Sequence, residues 1–375
     1  MPTATWTAPG RLNLIGEHTD YNDGFVLPIA LPYRTTATVT PRGDGLLRVR
    51  SAQRPDEAVE VPVADLRPGR LDGWPAYVAG VVWALREAGH PVGGGADVAV
   101  DGQVPEGAGL SSSAALECSV AAALAEVLGL ALPSMTLARL AQRAENEFVG
   151  VPTGAMDQLA AMLCTAGAAL FVDIRGDGDG PLAEQVPLDL AAAGLAILVI
   201  DTRSPHRLVD GEYADRRRAC EAAAAALGVP ALRDVELADL DAALARLTDE
   251  VQRRRARHVV TENGRVLRAV SLLRAGQMAD LGPLLTASHA SLRDDFEVTV
   301  PQLDTAVEAA LSAGALGARM TGGGFGGCVL ALLPAGDAAG SALRAAVDAA
   351  YASAGFTPPA YFVAVPSAGA QPAGA

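Results

Sequence analysis

Residues 105–117 read Pro105-Glu106-Gly107-Ala108-Gly109-Leu110-Ser111-Ser112-Ser113-Ala114-Ala115-Leu116-Glu117. The alternating stretch 96–104 before this run predicts a strand, and 112–128 predicts a helix. Glycines let backbone amides turn toward one cavity, and a helix N-terminus adds free N–H groups and a positive dipole end. We expect one serine to cap the helix, and three exceed that need. The run therefore favours a phosphate-binding loop, with a hydroxyl left to ligate Mg²⁺.

A second motif lies near the N-terminus, where residues 9–24 read Pro9-Gly10-Arg11-Leu12-Asn13-Leu14-Ile15-Gly16-Glu17-His18-Thr19-Asp20-Tyr21-Asn22-Asp23-Gly24. Its apolar residues can anchor a strand in a core. Gly16 then lets the backbone turn and leaves Glu17, His18 and Asp20 to meet the hydroxyls of a small polyol. Taken alone, such a run is more typical of a solvated turn.

A third glycine-rich run, residues 320–328, contains the spacing G-x-G-x-x-G at Gly322, Gly324 and Gly327. A dinucleotide fingerprint leaves a strand and enters a helix. Here a helical stretch precedes the glycines and a strand-like run, 329–332, follows them. The pattern is therefore interpreted as a loop in which the backbone approaches a ligand, or as a structural turn.

The composition of the chain limits the number of domains and the classes of function. The 375 residues, half of them hydrophobic, suffice for two domains, which we place at 1–190 and 191–375 from a composition shift near 189–194. The net charge of −14 argues against nucleic-acid and anionic-membrane partners. The arginine run 253–257 is interpreted as a solvated helix face. The sequence contains no lysine, which excludes Walker-A phosphate loops, protein kinases and Schiff-base enzymes.

Other patterns complete the outline. No signal peptide or long apolar run is recognisable, so the predicted location is cytoplasmic. Four dispersed cysteines and five dispersed histidines indicate reduced thiols and no structural metal. The tail 366–375 is expected to fray. Further helices are predicted at 133–149, Glu212–Leu227 and Pro301–Ser312, and further strands at 167–174, 194–201, 328–333 and 361–365.

The three motifs occur together and in order, and with them the chain resembles the GHMP small-molecule kinases, among these the galactokinases. Further matching runs are 144–150, 156–158 and 211–213. The resemblance implies an α+β two-domain GHMP kinase fold. Its N-terminal domain is ribosomal-protein-S5-domain-2-like, its C-terminal domain is ferredoxin-like, and the active site lies in the inter-domain cleft. It implies an ATP- and Mg²⁺-dependent phosphorylation of the C1 hydroxyl of α-D-galactose.

The resemblance also implies roles for single residues. Asp157 is the expected catalytic carboxylate beside the sugar C1 hydroxyl, with Arg11 as its positively charged neighbour. The expected metal pair is Ser113 and Glu145. The sugar contacts carried over are Glu17, His18, Thr19, Asp20 and Tyr213. The nucleotide contacts carried over are Ser51, Gly107, Ala108, Gly109, Leu110, Ser111, Ser112 and Ser113.

The roles of Arg11 and Asp157 are also consistent with the general chemistry of phosphoryl transfer. Phosphoryl transfer asks a protein mainly for alignment and charge neutralisation, so one carboxylate and one guanidinium can suffice. Without the flanking motifs, Arg11 and Asp157 would be read as a structural ion pair. Two other functions stay open, a kinase for N-acetylgalactosamine or arabinose and a catalytically silent sugar sensor. The protein is expected to be a monomer, although an oligomer is not excluded.

Overall fold

The computed structural model describes residues 2–177, 180–204 and 211–374 of an α+β protein. In these residues the strands form three sheets, with six, four and three strands. The strands are β1 (Ala4–Asn13), β2 (Phe25–Val26), β3 (Pro28–Pro41), β4 (Leu46–Ser51), β5 (Val59–Pro62), β6 (Gly95–Gly102), β7 (Ala168–Asp173), β8 (Leu182–Pro187), β9 (Leu195–Asp201), β10 (Gly317–Thr321), β11 (Cys328–Pro334), β12 (Ala360–Ala364) and β13 (Gln371–Pro372).

The helices pack against these sheets. They are α1 (Trp74–Glu87), α2 (Ser112–Val127), α3 (Ser134–Arg143), α4 (Met156–Leu163), α5 (Glu212–Leu227), α6 (Leu240–Arg246), α7 (Glu250–Arg274), α8 (Leu281–Ser291), α9 (Pro301–Ser312) and α10 (Asp337–Ala354). Two π-helical turns, Ala144–Val149 and Leu292–Phe296, extend α3 and α8. No described helix is long and apolar enough to cross a membrane.

The N-terminal sheet has the order β13-β1-β3-β6-β4-β5. In β6 the inward residues Ala96, Val98 and Val100 alternate with more exposed ones, as expected for a sheet with one covered face. Helix α2 covers β1 and β3, and its alanine-rich sequence is buried almost throughout. Small side chains let this helix lie close to the sheet, and its N-terminus then points to the end of β1.

The C-terminal sheet has the order β10-β11-β9-β12, and all its strands pair antiparallel. The central strands β9 and β11 are covered on both faces, which explains their continuous apolar sequences. A core shared by both halves of the chain packs Leu12 and Ile15 with Ile197, Val266 and Leu330. The end of β1 is thereby fixed against the C-terminal half.

The third glycine run connects β10 to β11 as a hairpin. The expectation of a helix directly before it is wrong, because α9 ends at Ser312 and β10 lies between. The expectation that a strand follows is confirmed, so the run opens no dinucleotide-binding helix. At Gly324, φ is +82° and a Cβ would lie 2.3 Å from the carbonyl oxygen of Val298, so glycine is required there.

The expectation of a frayed tail is wrong. Strand β13 pairs with β1, with Pro372 opposite Trp6. The Arg34 guanidinium donates hydrogen bonds to the carbonyls of Ala368 (2.8 Å) and Gly369 (2.6 Å). These bonds fix a segment rich in alanine and glycine whose sequence shows no periodicity.

The arginine run lies in a helix, α7, as predicted, but the expectation that its face is solvated is wrong. Arg255 is only 3% exposed and donates to the Asp295 carbonyl and, at 2.7 Å, to the Glu297 carboxylate. Arg254 also binds Glu297, and Arg257 binds the Asp295 carboxylate. The run therefore anchors the π-helical turn Leu292–Phe296 on α7.

Candidate active site

The loop that follows β1 is held by helix α7 of the C-terminal half. At Gly16, φ is +104° and a Cβ would lie 2.6 Å from the Phe25 carbonyl oxygen, so the turn requires glycine. The Gly16 amide donates to the buried Glu262 carboxylate at 3.0 Å, and His258 bonds the Glu17 carbonyl at 3.1 Å. These contacts fix the backbone from which the predicted sugar-binding side chains project.

The side chain of Glu17 is already bound within the protein. Its carboxylate accepts from the Arg319 guanidinium, from the Gly322 amide at 3.0 Å and from the Thr321 hydroxyl at 3.3 Å. Arg319 is fully buried and also donates to the Leu14 carbonyl at 2.9 Å. Burial raises the pKa of Glu17 even beside this arginine. Glu17 therefore joins the loop to the glycine hairpin, and it also lines the cavity.

The serine-rich loop meets β1 at the N-terminus of α2. Arg11 donates from its amide to the Leu110 carbonyl (3.1 Å) and from its guanidinium to the Gly109 carbonyl (2.6 Å). Ser111 occupies the N-cap position with φ +59° but makes no side-chain cap bond, so the expected serine cap is wrong. Its hydroxyl donates to Asp157 instead. The free N–H groups of this helix end stay available to an anion.

Asp157 lies in the first turn of α4, where it meets both motifs. Arg11 binds it through two parallel bonds, Nε to Oδ1 at 2.8 Å and Nη2 to Oδ2 at 3.0 Å. Ser111 donates to Oδ2 as well. The Arg11 side chain is 6% exposed and that of Asp157 is 21% exposed. A carboxylate in this fixed geometry can orient a hydroxyl group at the cavity surface.

Glu145 lies on the π-helical turn Ala144–Val149, beside the serine-rich loop. Its Oε2 accepts from Gln158 at 2.6 Å and from Thr153 at 3.2 Å, and Ser113 also hydrogen-bonds its carboxyl group. Burial, and then the charge of Asp157, raise its pKa to about 7. Among the described residues, no cluster of three or more His, Cys, Asp or Glu side chains could hold a metal. A carboxylate and a hydroxyl fit Mg²⁺, which takes few protein ligands beside phosphate oxygens.

The remaining wall of the cavity combines a carboxylate with aromatic rings. Burial, and then the charge of Asp157, raise the pKa of Asp20 to about 6. The His18 ring packs against two aromatic rings, with its centroid 5.5 Å from that of Tyr213 and 4.6 Å from that of Phe296. Its Nδ1 atom forms a hydrogen bond with the Tyr21 hydroxyl at 2.9 Å. Burial keeps the pKa of His18 well below its ordinary value, so the ring is neutral. An apolar face beside polar tips suits a sugar ring.

One cavity of about 280 Å³ joins these groups, close to the roughly 300–1,000 Å³ typical of small-molecule pockets. The residues predicted from the sequence that line it are Arg11, Glu17, His18, Asp20, Gly107, Gly109, Leu110, Ser111, Ser112, Ser113, Glu145, Asp157 and Tyr213.

Three predicted site residues do not line this cavity. The Thr19 hydroxyl is buried and donates to the carbonyls of Gly16 and Phe25. Ala108 is buried in the core shared by both halves. Ser51 lies in a separate shallow depression at the end of β4.

Several lining residues were not predicted. Tyr77 lies in α1, far from every motif, and Val151, Thr153 and Gly154 lie between the matching runs 144–150 and 156–158. Pro105 and Met156 lie within quoted runs but had no assigned role. Gly322 and Gly323 come from the glycine hairpin. For this hairpin the sequence left two interpretations open, a loop in which the backbone approaches a ligand and a structural turn.

Three models of known protein families match this chain. The galactokinase galactose-binding signature matches residues 1–41, the GHMP kinase N-terminal domain matches 76–165 and the GHMP kinase C-terminal domain matches 269–353. A galactokinase of Streptomyces coelicolor is 55% identical over 372 residues, covering 99% of this chain and 94% of that protein. The chain belongs to the galactokinase family. A galactokinase of Mycobacterium tuberculosis is 50% identical, covering 93% of this chain and 95% of that protein.

Solved structures agree with membership of the galactokinase family. The crystal structure of Lactococcus lactis galactokinase complexed with galactose has a TM-score of 0.92 at 35% identity, covering 98% of this chain and 95% of that one. Methanococcus jannaschii mevalonate kinase, at 14% identity, shares the fold with a TM-score of 0.67, covering 98% and 99%. The expected two-domain α+β GHMP kinase fold is confirmed. The domain boundary at residues 190 and 191 stays a prediction.

Proposed function

We propose that the protein transfers the terminal phosphoryl group of ATP to the C1 hydroxyl of α-D-galactose, giving α-D-galactose 1-phosphate and ADP. The observation that carries this proposal is the position of Asp157, which is bound by Arg11 from β1 and by Ser111 from the serine-rich loop. We infer that a sugar hydroxyl and a terminal phosphate would meet at a carboxylate shared in this way.

In the proposed step, the C1 oxygen bonds to the terminal phosphorus while the bond from that phosphorus to the bridging oxygen of ADP breaks. The hydroxyl proton passes to Asp157. Arg11 and Ser111 hold the Asp157 carboxylate in a fixed orientation, and it accepts the proton as the new bond forms. Alignment of the two reactants is then the main contribution of the protein.

The triphosphate is proposed to bind the backbone amides of the serine-rich loop and the N-terminus of α2. These groups supply the positive potential that a lysine gives in other phosphate loops. Ser113 and Glu145 would hold Mg²⁺, which neutralises phosphate charge when it is bound. We assign galactose to the wall formed by His18, Asp20 and Tyr213. The predicted contacts of Thr19, Ala108 and Ser51, the cytoplasmic location and the monomeric state stay predictions.

The test measures ADP release with galactose, N-acetylgalactosamine, arabinose or no sugar, with and without Mg²⁺, and assigns the phosphorylated position by phosphorus NMR. We expect release that depends on galactose and Mg²⁺ and a product phosphorylated at C1. Asp157→Asn should lower kcat by roughly 10²- to 10⁴-fold while galactose binding stays measurable by calorimetry.

The matched control is Asp56→Asn at an exposed surface position, which should keep full turnover. Near-normal turnover of Asp157→Asn would show that this carboxylate is not the proton acceptor. Faster turnover of another sugar would replace galactose as the substrate, and binding without ADP release would indicate a sensor.

A further inference from the structure

A row of three buried polar side chains lies behind the cavity. Glu117 comes from α2, Gln158 from α4 and Glu145 from the π-helical turn, and they are 0%, 0% and 3% exposed. Of the three, only Glu145 lines the cavity. Buried polar groups are costly unless they are paired, so the position of this row between three elements needs an explanation.

The hydrogen bonds of this row converge on one oxygen atom. The amide nitrogen of Gln158 donates to Glu145 Oε2 at 2.6 Å. The Thr153 hydroxyl shares its proton between the same Oε2, at 3.2 Å, and Asn146 Oδ1, at 3.1 Å. With Oε2 bound by these two donors, Oε1 is the oxygen left to a ligand from the cavity and to Ser113, the other proposed metal ligand, which also hydrogen-bonds this carboxyl group. A carboxylate held in this way presents a single oxygen in a fixed direction.

The second N–H of Gln158 is also used. Its amide nitrogen donates to Glu117 Oε2 at 3.1 Å, so one NH₂ group joins two carboxyl groups. The primary amide of Gln158 offers two donors on one nitrogen atom, whereas glutamate would put an acceptor against two acceptors. Glu117 thus fixes the rotation of the amide group that holds Glu145.

We propose that Gln158, held in place by Glu117, is a positioning residue that directs Glu145 Oε1 at the Mg²⁺ of the nucleotide complex. This inference rests on the proposed function, because it takes Ser113 and Glu145 as the metal ligands. Groups that orient metal ligands from behind commonly change metal affinity by about 10- to 100-fold when they are removed.

A purely structural role predicts a different outcome. If Gln158 only tied α2 to α4, its loss would lower the stability of the fold and leave the metal affinity of the folded protein unchanged. Metal affinity, galactose affinity and stability must therefore be measured separately on the same variants.

The experiment measures binding of Mn²⁺ to the ADP complex by electron paramagnetic resonance, galactose binding without nucleotide by calorimetry, and unfolding by urea. We expect Gln158→Met to weaken Mn²⁺ binding about 10-fold or more and to change galactose affinity less than twofold. Glu117→Met should also weaken Mn²⁺ binding. Glu117→Gln should bind Mn²⁺ more tightly than Glu117→Met does, since the new side-chain carbonyl still accepts from Gln158.

The matched control is Ser119→Ala. Ser119 is also fully buried on α2, but its hydroxyl bonds the Leu116 carbonyl and lies outside the row. We expect it to lose stability and to keep the Mn²⁺ affinity of the wild type. If Gln158→Met does not fold, Thr153→Val removes the other donor to Oε2 from a partly exposed position and should weaken Mn²⁺ binding on its own.

Wild-type Mn²⁺ affinity in a folded Gln158→Met protein, or in Thr153→Val where that variant replaces it, would overturn the proposal. Equal losses of Mn²⁺ and galactose affinity would do so too, because they indicate general damage to the cavity. A wild-type protein that binds Mn²⁺ with ADP but releases no ADP with galactose would instead overturn the proposed function and leave the role of Gln158 standing.

Discussion

The buried pair of Arg319 and Glu17 gives a stability prediction whose size can be worked out. Arg319→Met removes the charge that compensates a fully buried carboxylate and keeps most of the side-chain volume. The carboxylate can escape this penalty by taking up a proton, at a cost set by the distance of the pH from its ordinary pKa of 4.5. At about 1.4 kcal/mol per pH unit, that cost is about 3.4 kcal/mol at pH 7, and it is an upper limit to the loss because burial already raises the pKa of Glu17 in the wild type. The lost bond to the Leu14 carbonyl adds about 1 kcal/mol.

The pH dependence identifies the cause. In the variant the pKa of Glu17 is raised further in the folded state, so the folded protein holds a proton that the unfolded chain releases. Its stability deficit relative to the wild type therefore grows with pH, by up to about 2 kcal/mol between pH 5.5 and pH 7. Urea unfolding of wild type and variant at these two values measures it, and Glu17→Gln in the Arg319→Met background should remove the dependence. A deficit independent of pH would refute this reasoning and assign the loss to packing.

Three further predictions concern other contacts. We expect kcat/KM for galactose, measured at saturating Mg²⁺ and ATP so that Glu145 stays ionised, to fall as the pH drops through about 6, because Asp20 then becomes protonated and loses acceptor capacity; the pH profile of Asp20→Asn should lack this limb, and an unaltered limb would contradict the assignment. Gly154→Ala places a Cβ 1.7 Å from Asp20 Oδ2, so kcat/KM for galactose should drop roughly 10- to 100-fold with the KM for ATP unchanged, and steady-state kinetics showing no change would exclude the clash. Arg34→Met removes the donors to Ala368 and Gly369 and should lower the unfolding free energy by about 2 kcal/mol and expose the tail to proteases; urea unfolding and limited proteolysis test it, and a resistant tail would count against the role of Arg34.

Local patterns predicted most of the regular elements. The helices Glu212–Leu227 and Pro301–Ser312 have the predicted bounds, and the strands near 195–201 and 328–334 differ by one residue at an end. The predicted helix at 133–149 begins at Ser134 and ends in a π-helical turn. These elements follow from periodicity and from proline at a helix start, which are properties of neighbouring residues.

Such local patterns did not predict contacts between residues that are far apart in the sequence. The bonds of Glu17 to Arg319 and of Gln158 to Glu117 join residues 302 and 41 positions apart. A glutamate in a polar turn gives no sign that an arginine from another strand will bind it. The motifs located the cavity. They did not show which side chains line it and which only hold other side chains in place, because this depends on contacts formed in the folded protein.

The pairing of β13 with β1 ties the end of the described chain to its beginning. The sheet that carries Arg11 is thus completed by a strand from the last residues of the C-terminal half that the structure describes. Cutting the gene between the two halves would leave the first fragment with an open edge on β1, a surface that invites unwanted association. The halves should therefore be produced together, or with residues 366–374 supplied as a peptide.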